Sequence, residues 1–326
     1  MTENLYRDYS SYLRQLFGCR VQKISLDAGL TCPNRDGMAG SGGCVYCNTK
    51  GSGTGAAGLR QSITEQLERG KSFLGKRYKA RKFIAYFQSF SNTYAPLDKL
   101  RALYQEALAV RDIVGLSIGT RPDCVPEETL DYLGDLSRNH FLWLEYGLQS
   151  GNDATLERIN RGHGVRAFED AVRRTNAREI PVCAHVILGL PGEGRREMLE
   201  TARCIANQDV QGIKIHLLYV IRGTVLHEWH SNGIYRCLSR EEYVGLVGEF
   251  LSLLPPHMIV HRLTGDPHPE ELVAPQWALE KRANLNAIHD HLRAMGLYQG
   301  KEYRLPPKDV EKLPVSGRVD YNGGLS

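Results

Sequence analysis

Apolar and polar positions along the chain follow two alternating rhythms. Short apolar runs, rich in β-branched and aromatic residues, occur at Val21–Leu26, Lys82–Phe87, Ile113–Ile118, Phe141–Leu148, Val182–Leu188 and Gly212–Leu218. Runs of this length and composition read as strands. Between them lie segments with apolar residues at helical spacing: Ile63–Leu74, Leu97–Val110, Pro126–Leu136, Ala167–Arg178 and a helix from about Arg195. Pro126 suits a helix start, where no intrahelical N–H is required. Strands separated by helices in this way form right-handed βαβ units and a parallel sheet. Six such units can close only part of a barrel. The expected fold is therefore α/β, a partial (β/α)6 barrel over residues 1–235 with an N-terminal helix. A C-terminal α/β extension over 236–315 is expected to pack on it, with a helix near Arg240–Leu254, a strand near Met258–Leu263 and a helix near Pro275–Met295. The Gly-rich, polar stretch Ser316–Ser326 reads as a frayed tail. In parallel α/β sheets ligands bind at the C-terminal ends of the strands, so chemistry is sought there.

Composition changes this picture little. Hydrophobic residues make up 42% of the 326 and charged residues 24%, ordinary for a globular protein. A net charge of +4 permits an anionic partner without requiring one. The longest apolar stretches, such as Phe250–Leu254 and Cys183–Leu190, are too short to span a bilayer. The first residues, MTENLYRDYS, lack the basic-then-apolar order of a secretory leader. Eight cysteines without such a leader fit a reducing compartment, so a cytoplasmic protein is expected.

The cysteines carry the chemistry. Cys32, Cys44 and Cys47 share one loop, CPNRDGMAGSGGCVYCN, directly after the first strand. Gly37, Gly40, Gly42 and Gly43 make it a loop able to wrap a cofactor closely. Three thiolates can hold three corners of a metal cluster and leave a fourth open. A structural zinc site would normally bring four matched ligands, and the first histidine of the chain is only at His140. A fourth ligand arriving through space keeps zinc as an alternative. Cys19, Cys124, Cys183, Cys204 and Cys237 are scattered, so one cluster and otherwise buried free thiols are expected.

The cysteine loop followed by six βα units resembles the radical S-adenosylmethionine (radical SAM) superfamily. Eleven residues separate Cys32 from Cys44, longer than the commonest C-x3-C-x2-C spacing, but the Cys44-Val45-Tyr46-Cys47 end fits. A long first gap is similar to the subgroup containing the elongator catalytic subunit. Gly119-Thr120-Arg121-Pro122-Asp123, Glu145-Tyr146-Gly147-Leu148-Gln149-Ser150, Asn160-Arg161-Gly162-His163 and Gly189-Leu190-Pro191-Gly192 resemble segments of that subgroup, with Gly119 where an acid would stand. Over roughly residues 10 to 300 the order of elements looks most like the YhcC-type proteins of this superfamily.

The resemblance implies a partial radical SAM barrel with a [4Fe–4S] cluster on Cys32, Cys44 and Cys47 and S-adenosylmethionine on its open iron. It also implies an electron donor of flavodoxin or ferredoxin type and a 5′-deoxyadenosyl radical that takes a hydrogen from substrate. It gives Gln149 a SAM-binding role, while the planar fork of Arg161 suits the SAM carboxylate. Glu145 either accepts from the SAM amino group or pairs with an arginine. His185 either reaches the ribose or is a satisfied core histidine. Tyr46, Ser91 and Asn92 are further cofactor contacts, the latter two in a polar stretch after the second strand that also reads as an ordinary turn.

Lys214 and His216 share one face of the sixth strand, and Arg262 ends the C-terminal strand near Asp266. These are candidate substrate contacts, although Arg262 and Asp266 also read as an ion pair. The catalytic residues and the substrate are not identified by the sequence; a small acidic metabolite, a protein or tRNA are the classes considered. A tRNA substrate is suggested by the basic run Lys71, Lys76, Arg77, Lys79, Arg81 and Lys82 with Tyr78 among them. Such runs are usually solvated surfaces, and the small acid is preferred. A non-enzymatic iron–sulfur or zinc protein is the contrasting class, and in it Gln149 and Arg161 would have no task.

Overall fold

The computed structural model describes residues 5–48, 51 and 61–304. The chain opens with α1 (Tyr9–Phe17) and β1 (Val21–Leu26). Then come α2 (Ile63–Tyr78), β2 (Lys82–Phe87), α3 (Leu97–Ala109), β3 (Ile113–Thr120), α4 (Glu127–Ser137) and β4 (Phe141–Gln149). Two helices, α5 (Asp153–Arg158) and α6 (Val165–Asn176), precede β5 (Val182–Leu188), α7 (Arg195–Ala206) and β6 (Gly212–Leu217). The C-terminal part adds β7 (Val220–Ile221), α8 (Val225–Ser231), α9 (Arg240–Leu253), β8 (Ile259–Arg262), β9 (Leu272–Ala274) and α10 (Lys281–Ala294).

The large sheet runs β1-β2-β3-β4-β5-β6-β8 and is parallel throughout. It is an open, curled partial barrel with helices on its outer face. The strand expected in the C-terminal extension is a seventh strand of the sheet, hydrogen-bonded to β6. The last helix differs as well. A short 3-10 helix at Gln276–Leu279 precedes α10, and the backbone of Glu280 between them is not helical. The first long helix continues past Leu74 to Tyr78. Its start is fixed by a capping box between Ser62 and Glu65. Gly70 lets it approach β1, since a Cβ there would lie 2.4 Å from Ile24. The tail expected at Ser316–Ser326 lies outside the described residues, as does the end of the 236–315 segment.

The main apolar core fills the space between sheet and helices, around Leu26, Phe87, Leu116, Leu144, Phe168, Ile213 and Phe250. A second cluster lies inside the barrel at its lower end, where the strands begin. Tyr9 and Leu13 of α1 pack there on Val21, Ile84, Phe141, Trp143, Cys183 and Ile259. The Tyr9 ring stacks on His261 at 3.8 Å, and Trp143 meets both rings edge-on. Asp8 caps α1 by accepting from the Ser11 amide, and Gly18 ends it in the left-handed conformation. Just before it, Arg7 accepts from the Val260 amide at 2.8 Å. α1 therefore packs on both edge strands, β1 and β8, and bridges the open seam between them. A third cluster, including Val45, Ile159, Leu190 and Leu226, lies beneath the loops at the upper end.

Candidate functional site

Above the apolar plug, each of the first six strands contributes a side chain with a polar atom to one ring in the interior. These are Lys23 (β1), Tyr86 (β2), Ser117 (β3), Glu145 (β4), His185 (β5) and Lys214 (β6). Glu145 is fully buried and accepts from four of the others: Lys23 Nζ at 2.5 Å, His185 Nε2 at 2.7 Å, and the Lys214 ammonium and Ser117 hydroxyl. Lys23 also donates to Ser117 Oγ at 2.9 Å. The Lys214 ammonium sits over the Tyr86 ring, 4.1 Å from its centre. Burial alone would raise the Glu145 carboxyl, but Lys214, Lys23 and His185 outweigh it and hold the group well below the usual carboxylate range. Burial pulls Lys214 down to about 8 against the attraction of Glu145. Burial, aided by Lys214, brings His185 to about 4, so its imidazole is neutral and donates Nε2–H to the carboxylate. Besides the Ser117 hydroxyl, the partners of Glu145 are thus two lysines and a histidine, where the sequence had offered an arginine.

The cysteine loop lies at the upper end, after β1, and its position is set by two segments of the later chain. Asn160, at φ 52°, donates from its side-chain amide to the carbonyls of Ser41 and Gly43 at 3.0 and 2.8 Å. The Asn34 amide donates back to the Asn160 carbonyl, and the Val45 amide to that of Ile159. Arg121 in turn holds the Asn160–His163 segment, donating to the Arg161 carbonyl at 2.7 Å and that of Gly162 at 3.2 Å. A bidentate contact to Asp123 fixes the Arg121 fork. The Thr120–Asp123 and Asn160–His163 motifs therefore interlock beneath the cysteines. Arg35, from within the loop, donates to the Cys47 and Asn48 carbonyls.

Loop and ring enclose a cavity of about 600 Å³, within the range of small-molecule sites. Cys32, Cys44 and Cys47 all line it, together with Tyr46, Ser91, Glu145, Gln149, Arg161, His185, Lys214, His216 and Arg262. Arg161 is buried; it donates to the Gly147 carbonyl at 2.6 Å and approaches Cys44 Sγ at 3.7 Å, while its Nε has no partner among the described residues. Gly147 makes room for this, because a Cβ there would lie 2.5 Å from the Arg161 fork and 2.6 Å from the Gln149 amide. Gln149 holds φ 78°, unusual for a residue other than glycine. The hydroxyl of Ser91 is buried without a partner among the described residues. Asn92 does not reach the cavity lining: its side-chain amide donates to the Gly119 carbonyl at 2.8 Å, fastening the loop after β2 to the end of β3. Arg262 and Asp266 do not pair; Asp266 bonds Lys281 at 2.7 Å instead.

All eight cysteines are free thiols; of the five outside the loop, Cys124 and Cys183 are buried and Cys19, Cys204 and Cys237 half-buried. Among the described residues no three His, Cys, Asp or Glu side chains converge on a point that would hold a single metal ion. No helix among them is long and apolar enough to cross a membrane.

Residues 35–205 match the family model of the radical SAM superfamily, and residues 210–294 that of the Radical_SAM C-terminal domain. This chain belongs to the radical SAM superfamily. It is 43% identical to YtqA of Bacillus subtilis over 93% of this chain and 94% of YtqA. It is 35% identical to YhcC of Escherichia coli K12 over 94% of this chain and 99% of YhcC. Among solved structures, the archaeal Methanocaldococcus infernus Elp3 superposes with a TM-score of 0.65 at 17% identity, covering 86% of this chain and 64% of that one. As a radical SAM protein, the chain is one of a superfamily whose members use a [4Fe–4S] cluster and S-adenosylmethionine.

Three groups that shape the site of this radical SAM protein were not picked out from its sequence. Lys23, Tyr86 and Ser117 are mid-strand positions with polar atoms, in VQKISL, KFIAYF and IVGLSIGT. A polar residue at an inward position of a buried strand was the available signal. Arg121 and Asn160 were visible as members of motifs. Their roles as clamps on the cysteine loop depend on contacts 40 and 117 residues apart in sequence, which periodicity does not reveal.

Proposed function

We propose that this chain is an enzyme that binds a [4Fe–4S] cluster through Cys32, Cys44 and Cys47 and cleaves S-adenosylmethionine reductively to act on a substrate in the cavity. The observation that carries this reading is the meeting of all three cysteines with Arg161 and Gln149 in the lining of one cavity. The donor set fits. Three thiols face a common space, and the buried Arg161 Nε beside them is unsatisfied among the described residues, as expected of a guanidinium awaiting a carboxylate. Gln149 is within the same lining to meet ribose hydroxyls, and Ser91 offers a hydroxyl with no partner among the described residues. When bound, the pair supplies one-electron cleavage of a carbon–sulfur bond and a carbon radical that removes hydrogen from the substrate. The chain's own residues bind and orient: Asn160 and Arg121 hold the cysteine loop, the buried ring fixes the cavity floor, and the α1 plug excludes water from below. Glu145 and His185 serve as floor in this account, since each is already bonded to the other. The electron donor is of flavodoxin or ferredoxin type.

Anaerobically prepared protein should carry about four irons and four sulfides. Cys32→Ala, Cys44→Ala and Cys47→Ala should each lose them, while Cys124→Ala and Cys204→Ala should not. With a reductant, the protein should release methionine and 5′-deoxyadenosine from S-adenosylmethionine. Stoichiometric zinc without iron would end this reading, and S-adenosylhomocysteine as sole product would redirect it to methyl transfer.

A further inference from the structure

The β6–β8 side of the cavity is built around Arg262, a cation that forms no ion pair among the described residues. β8 contains a bulge: Ile213 pairs with Val260, but the next residue, Lys214, pairs with Arg262, leaving His261 as the extra residue. Val260 and Leu263 both point outward into the main core, three positions apart, so strict alternation fails between them. His261 stacks on Tyr9 inside the barrel, and Arg262 also turns inward to line the cavity. Bulges next to functional sites commonly re-aim a side chain in this way.

Arg262 arrives beside Lys214. Among the described residues it forms no ion pair, because Asp266 is taken by Lys281. Glu145 is the one carboxylate in the buried ring, and it already faces Lys23 and Lys214. His216, two residues beyond Lys214 on the same face, has a buried Nε2 without a partner among the described residues. Burial, and then Arg262, His185 and Lys214, hold this ring neutral. The floor of the cavity thus has excess positive charge and an unmet donor or acceptor, an arrangement that is costly unless an anion completes it.

We propose that Arg262, with Lys214 and His216, is the binding subsite for a carboxylate carried by the substrate. This rests on the reading of the cavity as a radical SAM site. The planar fork of Arg262 matches a carboxylate bidentately, and the His216 nitrogen can complete its hydrogen bonding. The same cavity carries Asp266 and Glu271, whose charges weigh more heavily against a phosphate dianion than against a single carboxylate. The carboxylate belongs either to a free small acid or to a group on a larger molecule; the subsite recognises the same atoms in both.

The test uses cluster-loaded protein with S-adenosylmethionine present, and sodium acetate, acetamide and inorganic phosphate as probes in saturation-transfer NMR. Acetate should bind the wild type, acetamide and phosphate at least tenfold more weakly, and Arg262→Gln should lose acetate affinity at least tenfold. Arg262→Lys, which keeps charge but not the fork, should fall between. Equal acetate binding by wild type and Arg262→Gln, or acetamide or phosphate binding as well as acetate, would overturn the proposal. Substrate-free release of 5′-deoxyadenosine by the wild type is measured separately: its absence sinks the radical SAM reading, whereas its presence with Arg262-independent acetate binding sinks only the subsite. The carrier is then read by whether low-molecular-mass or macromolecular fractions of a cell extract raise 5′-deoxyadenosine release. A rise lost in Arg262→Gln supports the subsite and names its source, and a rise equal in both proteins counts against it.

Discussion

Glu145 shows how much one side chain can organise. It lies at the centre of the barrel, fully buried, and neutralises lysines from two strands that are not neighbours. Removing its charge leaves Lys23 and Lys214 facing each other without compensation. Glu145→Gln should therefore lower stability by about 3–5 kcal/mol, measured by chemical denaturation at pH 7; a loss under about 1 kcal/mol would show that the lysines relax to solvent. Asn160 is the corresponding residue for the cysteine loop. Its left-handed backbone is kept by Asn160→Gly, which removes only the two side-chain bonds to Ser41 and Gly43. Cluster loss to a chelator should become several-fold faster in that variant, since each bond contributes about 1 kcal/mol. Unchanged loss would place the loop's rigidity elsewhere. The three cysteines, Gln149 and Arg161 were legible as residue types at recognisable spacings. The ring was not, because its members come one from each strand and only closure of the sheet brings them together.

At the scale of elements, strands and their order were the most readable part. Each of the six apolar runs forms a strand within two residues of its expected limits. What escaped notice were short pieces held by tertiary contact: α5, α8 and the β7–β9 pair. Six-residue α5 depends on Asn152, whose side chain accepts from the amides of Ala154 and Thr155, rather than on any periodic pattern. The seventh strand was seen but not its pairing, since four residues carry no signal of which edge they will join. The turn between β5 and α7 gives a pH prediction. Burial pushes the Glu193 carboxyl up to about 7, while Ser150 donates to it and partly opposes the shift. An unfolded glutamate titrates near 4.3, so between these values the native state binds more protons, and stability falls as pH rises. The deficit is complete above pH 7. Glu193→Gln should thus be more stable than wild type by about 1–3 kcal/mol at pH 8, with the difference vanishing near pH 4.5. A constant difference across that range in urea titrations would show that the carboxyl is not the cause.

For the molecule as a whole, the two ends of the barrel have separate characters. The cavity and the cysteines are at the ends of the strands. The basic run is at their beginnings: Lys82 opens β2 and pairs with Val21, the first residue of β1. A strand of six residues separates the two levels by about 20 Å. Several of the charges there are also engaged with aromatic rings, Arg77 and Arg20 over Tyr78 and Lys82 over Phe17. Replacing Lys76, Arg77, Lys79 and Arg81 together by Glu should leave substrate-free cleavage of S-adenosylmethionine within about twofold of wild type. If tRNA binds through these residues, its affinity should fall steeply with salt and vanish in the variant. A change in cleavage itself would instead mean that the lower end communicates with the cavity.

The stopper formed by α1 has a kinetic consequence. A vessel sealed at its base by Tyr9, Trp143 and His261 empties by the route through which it fills. Two ligands sharing such a neck leave in the reverse of their order of arrival, so the later one imprisons the earlier. Pre-bound, labelled S-adenosylmethionine chased with unlabelled material should then be released at a rate that depends on the second ligand: slowed at high concentration if it was the first in, unaffected if it was the last.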